Sequence, residues 1–136
     1  MLSPTIDTWR LFLHVLAASV WVGGQVVLAG LVPGLRRASP DATKVAARGF
    51  AKVAWPAFAV LVLTGLWNIA EVDVTNTTTA YQVTLFAKIT LAAVSGAAAA
   101  VHQVGRSTAA LAIGGALGLV GALGAMLLGI TLTTGT

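Results

Sequence analysis

The chain alternates long apolar stretches with short polar ones, and this pattern predicts its helices. Four stretches each approach the roughly 20 residues that cross the hydrocarbon core of a bilayer; they lie at about 9–32, 50–70, 83–103 and 109–132. Each is continuously apolar, whereas the strands of a membrane β-barrel alternate apolar and polar residues. The sequence therefore predicts an all-α fold, an integral membrane four-helix bundle that forms a single transmembrane domain.

Two polar segments separate the first three predicted helices. A proline followed by a glycine rarely continues a helix, so the first helix is expected to end at Pro33 and Gly34. Residues 34–49 then form the longest loop, and residues 71–82 form a second, polar loop.

Composition and charge support a membrane protein. Hydrophobic residues make up 57% of the 136 residues and charged residues only 9%, which is too little polar surface for a soluble domain. The formal charge of +4 comes mainly from residues in or beside the predicted first and third loops, namely Arg36, Arg37, Lys44, Arg48, Lys52 and Arg106. By the positive-inside rule these loops face the cytoplasm, so the N and C termini are expected outside. Membrane lipid, and not nucleic acid, is the expected partner.

One ionisable residue, His14, stands well inside the first apolar stretch, beyond Arg10 at its start. His14 is a candidate functional residue because lipid offers an imidazole no hydrogen-bond partner. At about 100° per residue, it shares one face of its helix with other polar or amphipathic residues. The corresponding faces are Asp7, Arg10, His14, Trp21 and Gln25 on the first helix; Thr64 and Asn68 on the second; and Tyr81, Thr84, Lys88, Ser95, His102 and Arg106 on the third.

Depth along the helices groups some of these residues. His14 and Lys88 each lie about five residues inside the start of their predicted helices, and Asn68 approaches the same level from the opposite chain direction. The three form one candidate site near the outer surface, with Trp21 as a deeper residue that could pack against a flat ligand or a neighbouring helix. His102 lies fourteen residues beyond Lys88, roughly 21 Å deeper, so it cannot share a metal ion with His14.

Each candidate also has a purely structural interpretation. His14 could form a hydrogen bond between helices that fixes their register. Lys88 could extend its ammonium to the membrane surface, and His102 with Arg106 could be ordinary interfacial residues.

The residue types favour haem over copper. Imidazole is the commonest ligand that proteins give to haem iron, and a lysine amine could pair with a carboxylate, ligate the iron or transfer protons. Copper transport usually uses several soft ligands, but the chain has no cysteine and only two methionines. Copper remains the alternative occupant of a site whose metal ligand is His14.

The fourth helix carries a stripe of small residues at helical spacing, consisting of Gly114, Gly118, Gly121, Ala125 and Gly129. Small residues let another helix approach closely. The stripe predicts packing inside the chain, and a homodimer or a larger membrane complex through Gly114, Gly118 and Gly121 is the alternative.

The first three helices resemble a known family. Trp9, His14, Trp21-Val22-Gly23-Gly24, Pro33, Phe50 and Leu63-Thr64-Gly65, followed by Phe86-Ala87-Lys88, are similar to the copper-resistance D (CopD) membrane family. They also resemble the related four-helix membrane protoporphyrinogen oxidases of bacteria, the HemJ type. The fourth helix contributes little to this resemblance.

The resemblance implies two functions. The oxidase type implies bound haem b, with an essential histidine and lysine at His14 and Lys88, and therefore electron transfer or porphyrin redox chemistry. The copper-resistance type implies copper handling as a transporter or accessory protein. Both imply a multi-pass protein of the inner (plasma) membrane. The residues after Trp21, Gly23-Gly24-Gln25 and Pro33, are closer to the copper-resistance branch. A structural subunit of a larger membrane complex is a third hypothesis.

Overall fold

The computed structural model describes residues 2–135, and in them it confirms the all-α prediction. Four α-helices form, α1 (Ile6–Ala38), α2 (Pro40–Ala70), α3 (Thr79–Val104) and α4 (Thr108–Thr134), with one 3-10 turn at Val74–Asn76. No strand occurs in this part of the chain. By length and composition, all four helices can cross a membrane.

A serine or threonine begins each helix. The side-chain oxygens of Thr5, Ser39, Thr78 and Ser107 each accept a hydrogen bond from a backbone N–H in the first turn of α1, α2, α3 and α4 respectively. These bonds satisfy donors that have no partner inside a helix, which fixes where each helix starts.

The predicted loop at 34–49 is wrong. Helix α1 continues through Pro33 to Ala38, and α2 begins at Pro40, so Ser39 alone connects them. Proline at the first position of α2 costs no hydrogen bond, because that N–H would be unpaired anyway. Arg36 and Arg37 in the last turn of α1 suit the negative end of its dipole. The segment is polar but made largely of good helix formers, so both helices extend beyond their apolar parts.

The predicted loop at 71–82 is also too long. Thr78 caps α3, which therefore starts at Thr79 and includes residues expected to be irregular. The side-chain amide of Gln82, in the first turn of α3, donates a hydrogen bond to the Val74 carbonyl at 2.9 Å. Helix α4 agrees with its predicted bounds to within two residues at each end.

The chain divides into two compact units. The first ends at Asp73 and contains α1 and α2; the second begins at Val74 and contains α3 and α4. In each unit the two helices run antiparallel and pack along their length. The single transmembrane domain stays a prediction.

Small residues allow the close packing of α3 and α4. Gly114, Gly118 and Gly121 are buried, and the Ser95 hydroxyl, which is itself fully buried, donates a hydrogen bond to the Gly118 carbonyl at 2.7 Å. A Cβ atom added to Gly121 would lie 2.9 Å from the Leu91 carbonyl oxygen. The glycine stripe therefore lies against α3, and association of the chain through these glycines stays a prediction.

Large apolar side chains remain exposed on every helix, including Val15, Leu63, Phe86 and Val120. In water such a surface would aggregate. It is the surface expected of helices that contact lipid.

Candidate functional site

His14 contacts α2 directly. Its Nδ1 atom lies 2.8 Å from the Thr64 hydroxyl oxygen. Thr64 is buried and His14 is half-buried. Gly65 lies beside the imidazole, where an added Cβ atom would be 3.4 Å from Cε1, an ordinary van der Waals contact. The sequence pattern placed His14 and Thr64 on polar faces of their helices without pairing them.

The surroundings of the Thr64 hydroxyl favour one tautomer of His14. That hydroxyl lies 2.7 Å from the Val60 carbonyl and 3.2 Å from the Leu61 carbonyl, either of which can accept its single proton. With the proton donated there, the Thr64 oxygen would accept from Nδ1 of His14 and the ring lone pair would be on Nε2. Histidines that ligate metals are held in this way, with the other ring N–H donated to a neighbouring oxygen.

A second polar layer lies one helical turn from this pair, towards the N-terminal end of α1. Arg10 lies one turn before His14 on α1 and Asn68 one turn after Thr64 on α2; because the two helices are antiparallel, both are displaced from the pair in the same direction. The Arg10 side chain is only 11% exposed; its Nη2 lies 3.1 Å from Asp7 and its Nη1 lies 3.6 Å from Glu71. The Nε and Nη1 atoms of Arg10 and Oδ1 of Asn68 are buried without a hydrogen-bond partner.

Trp21 is buried in an aromatic cluster two turns from His14 on the other side. Its ring centroid lies 4.4 Å from that of Phe58 and 5.5 Å from that of Trp55. The side chain is 3% exposed. The cluster packs α1 against α2, which is one of the two roles expected of Trp21; contact with a cofactor stays a prediction.

Lys88 belongs to the unit formed by α3 and α4. It is half-buried, and its Cε and Nζ atoms lie 3.4 Å from the position that a Cβ atom of Gly129 would occupy. The side chain therefore lies along α4, and within this unit its ammonium makes no hydrogen bond or ion pair. His14, Thr64 and Asn68 come together in the first unit; the proximity of Lys88 to them stays a prediction.

His102 lies near the end of the α3–α4 unit that is opposite to Lys88, as its position in the sequence indicates. Its Nδ1 atom lies 2.6 Å from the Leu111 carbonyl, which can only accept, so Nδ1 is protonated. The ring lies over Gly115, where a Cβ atom would be 3.2 Å from Nδ1. His102 is exposed, and this bond joins α3 to α4.

Residues 2–135 contain no group of three or more histidine, cysteine, aspartate or glutamate side chains placed to hold a metal ion. A site with a single histidine ligand, as in many haem proteins, needs no such group. Haem as the ligand of His14, and copper as the alternative, stay predictions.

Comparisons of the chain with protein-family models, curated proteins and solved structures find no match. The resemblance to the copper-resistance D and HemJ-type families thus rests on the quoted residues alone and stays a prediction.

Proposed function

We propose that the protein binds haem b in the membrane through His14 and acts in electron transfer or porphyrin redox chemistry. The observation that carries this proposal is the hydrogen bond between His14 and Thr64, whose hydroxyl also lies within reach of the Val60 carbonyl. With the Thr64 proton on the Val60 carbonyl, this bond would leave the ring lone pair on Nε2, the nitrogen that would ligate iron. The plasma membrane and outward-facing termini are part of the same proposal.

The imidazole of His14 suits such a group, because it is half-buried and its neighbour on α2 is a glycine, Gly65. Haem would supply one-electron redox chemistry. The protein would fix the imidazole orientation through Thr64 and keep water from the site with its apolar helices.

Lys88 is proposed as the proton-handling or substrate-orienting residue if porphyrinogen oxidation is the reaction. A lysine inside a membrane-spanning helix is costly unless it has a partner, and the α3–α4 unit gives its ammonium none. A porphyrin carboxylate would supply that partner, and the amine could exchange protons with the substrate.

The absorption spectrum tests the proposal. Protein purified in detergent from haem-replete cells should show a Soret band, and His14→Ala should abolish it. The chain has two histidines, so His102→Ala is the matched control and should keep the band. Colourless wild-type protein would contradict haem binding; copper retained after dialysis would then favour the copper-handling alternative, and co-purification with another membrane complex the structural one.

A further inference from the structure

Three basic residues repeat at four-residue spacing in the first half of α2. They are Lys44, Arg48 and Lys52, and at this spacing their side chains leave the same side of the helix in a stripe about 12 Å long. All three residues are exposed. This basic stripe is therefore open to a partner from outside the chain.

The helix supplies the basic stripe with little negative charge. Asp41 is the one acidic residue of α2, and its Oδ1 atom lies 3.5 Å from Lys44 Nζ. The side chains of Asp41 and Lys44 are 81% and 68% exposed, so solvent weakens this ion pair. Among residues 2–135, neither Arg48 nor Lys52 makes an ion pair. Both cations can bind an anion that the chain does not provide.

The basic stripe lies at the level expected for lipid headgroups. The apolar part of α2 begins at about residue 50, so Arg48 and Lys52 lie about 3 Å on either side of the edge of the hydrocarbon core. A lysine just inside this edge can extend its ammonium back to the headgroups. Arg48 and Lys52 therefore meet the layer that contains lipid phosphates.

An apolar stripe with a gap runs beside the basic stripe. Val45, Gly49 and Val53 each follow one of the three cations by one residue. Val45 and Val53 are 67% and 58% exposed, and no atom lies within 4 Å of a Cβ atom added to Gly49. Cations beside exposed apolar side chains match a molecule that joins an acidic group to a hydrocarbon chain, and a phospholipid is such a molecule.

We infer that this face of α2 binds an anionic phospholipid. Arg48 and Lys52 hold its phosphate, and Lys44 adds attraction on the side of Ser39. The acyl chain enters at the gap over Gly49 and lies along Val53. A zwitterionic lipid binds more weakly, because its positive headgroup is repelled by the same cations. The inference concerns α2 alone and does not depend on the ligand of His14.

Native mass spectrometry of the protein in a non-ionic detergent tests this site. Phosphatidylglycerol and phosphatidylcholine with identical acyl chains are added separately, and the bound lipid is counted. One phosphatidylglycerol should bind about tenfold or more tightly than phosphatidylcholine, because each cation near an anionic headgroup contributes a factor of about five. Equal binding of the two lipids would overturn the inference.

Charge variants locate the preference. Arg48→Gln and Lys52→Gln should each weaken phosphatidylglycerol binding about fivefold and leave phosphatidylcholine binding nearly unchanged. Arg106→Gln is the matched control, since Arg106 is another exposed cation, in the connection between α3 and α4, and it should keep the full preference. A loss in Arg106→Gln as large as that in Arg48→Gln would show that total charge, and not a site on α2, attracts the lipid.

A glycine variant tests the apolar stripe with every charge kept. Gly49→Leu fills the gap and should weaken phosphatidylglycerol binding. Gly34→Leu is its control, because Gly34 also has no atom within 4 Å of an added Cβ atom, and it should bind as the wild type does. Unchanged binding by Gly49→Leu would contradict the placement of the acyl chain at Gly49.

Discussion

At the level of single side chains, the hydrogen bond between His14 and Thr64 is the contact that joins the polar faces of α1 and α2. The sequence pattern placed Thr64 and Asn68 on one face of a helix and His14 on a face of another, and those placements were sufficient to suggest a polar site. The pattern did not pair His14 with Thr64, because a depth counted from a predicted helix end is uncertain by about one helical turn. Thr64 and Asn68 are also one turn apart on α2, so the pattern could not choose between them. The unpaired atoms of Arg10 depend on rotamers, which no sequence pattern specifies.

Replacing Thr64 by valine should change both the tautomer of His14 and its ligand affinity. Valine keeps the branched shape but cannot accept the Nδ1 proton. We expect haem affinity to fall about 10- to 100-fold, as for other residues that orient a ligating histidine. Optical titration measures the affinity, and imidazole ¹⁵N NMR of the haem-free protein reports the tautomer.

Thr90→Val is the control for this substitution. The Thr90 hydroxyl also donates to a carbonyl one turn back, that of Phe86 at 2.9 Å, but the residue is exposed. Its replacement should change neither measurement. An unaltered tautomer in Thr64→Val would show that Thr64 does not orient His14.

At the level of the helices, hydrophobic length predicted that four helices exist, and their capping residues decided where they end. An apolar run ends where contact with lipid ends. A helix can continue beyond that point as long as its residues favour helical backbone and no capping residue ends it. Pro33 and Gly34 were expected to break α1; the helix instead continues for five residues after Pro33 and ends at Ala38. The glycines of α4 were visible in the sequence, whereas the helix they approach was identified only by the structure.

Gly121→Ala should destabilise the α3–α4 unit. Its Cβ atom would lie 2.9 Å from the Leu91 carbonyl oxygen and 3.2 Å from the Ser95 nitrogen. Because these are backbone atoms, the helices must separate, at a cost of about 1–3 kcal/mol in unfolding free energy. Equilibrium unfolding in mixed micelles, followed by circular dichroism, measures this change.

Gly30→Ala provides the comparison, since no atom lies within 4 Å of its added Cβ. It should leave stability unchanged or raise it by about 0.4–1 kcal/mol, because alanine restricts the unfolded chain. If Gly121→Ala were as stable as Gly30→Ala, close approach at Gly121 would not contribute to stability.

At the level of the whole molecule, the distribution of charge predicts the orientation in the membrane. Arg36, Arg37, Lys44 and Arg48 surround the connection between α1 and α2, which the positive-inside rule assigns to the cytoplasm. Both termini and the connection between α2 and α3 are then expected outside. Orientation depends on the membrane and its insertion machinery, so it follows from the sequence and not from the packing of the helices.

The absence of cysteine makes this orientation easy to measure. Single cysteines at Ser3→Cys and Thr79→Cys should react with a membrane-impermeant maleimide in intact cells, whereas Ala47→Cys should react only after permeabilisation. All three positions are exposed. The cysteine-free parent chain is the control for background labelling, and the reverse labelling pattern would contradict outward-facing termini.

The single-residue connection at Ser39 also has an electrostatic consequence. Helix α1 has 33 residues and is about 50 Å long, whereas the hydrocarbon core is about 30 Å thick. With α1 across the membrane, we therefore expect the ends of α1 and α2 near Ser39 to extend beyond the hydrocarbon core and to carry their basic residues to the headgroups, within reach of anionic lipid. Anionic lipid in that leaflet should then strengthen the attachment of this hairpin to the membrane surface.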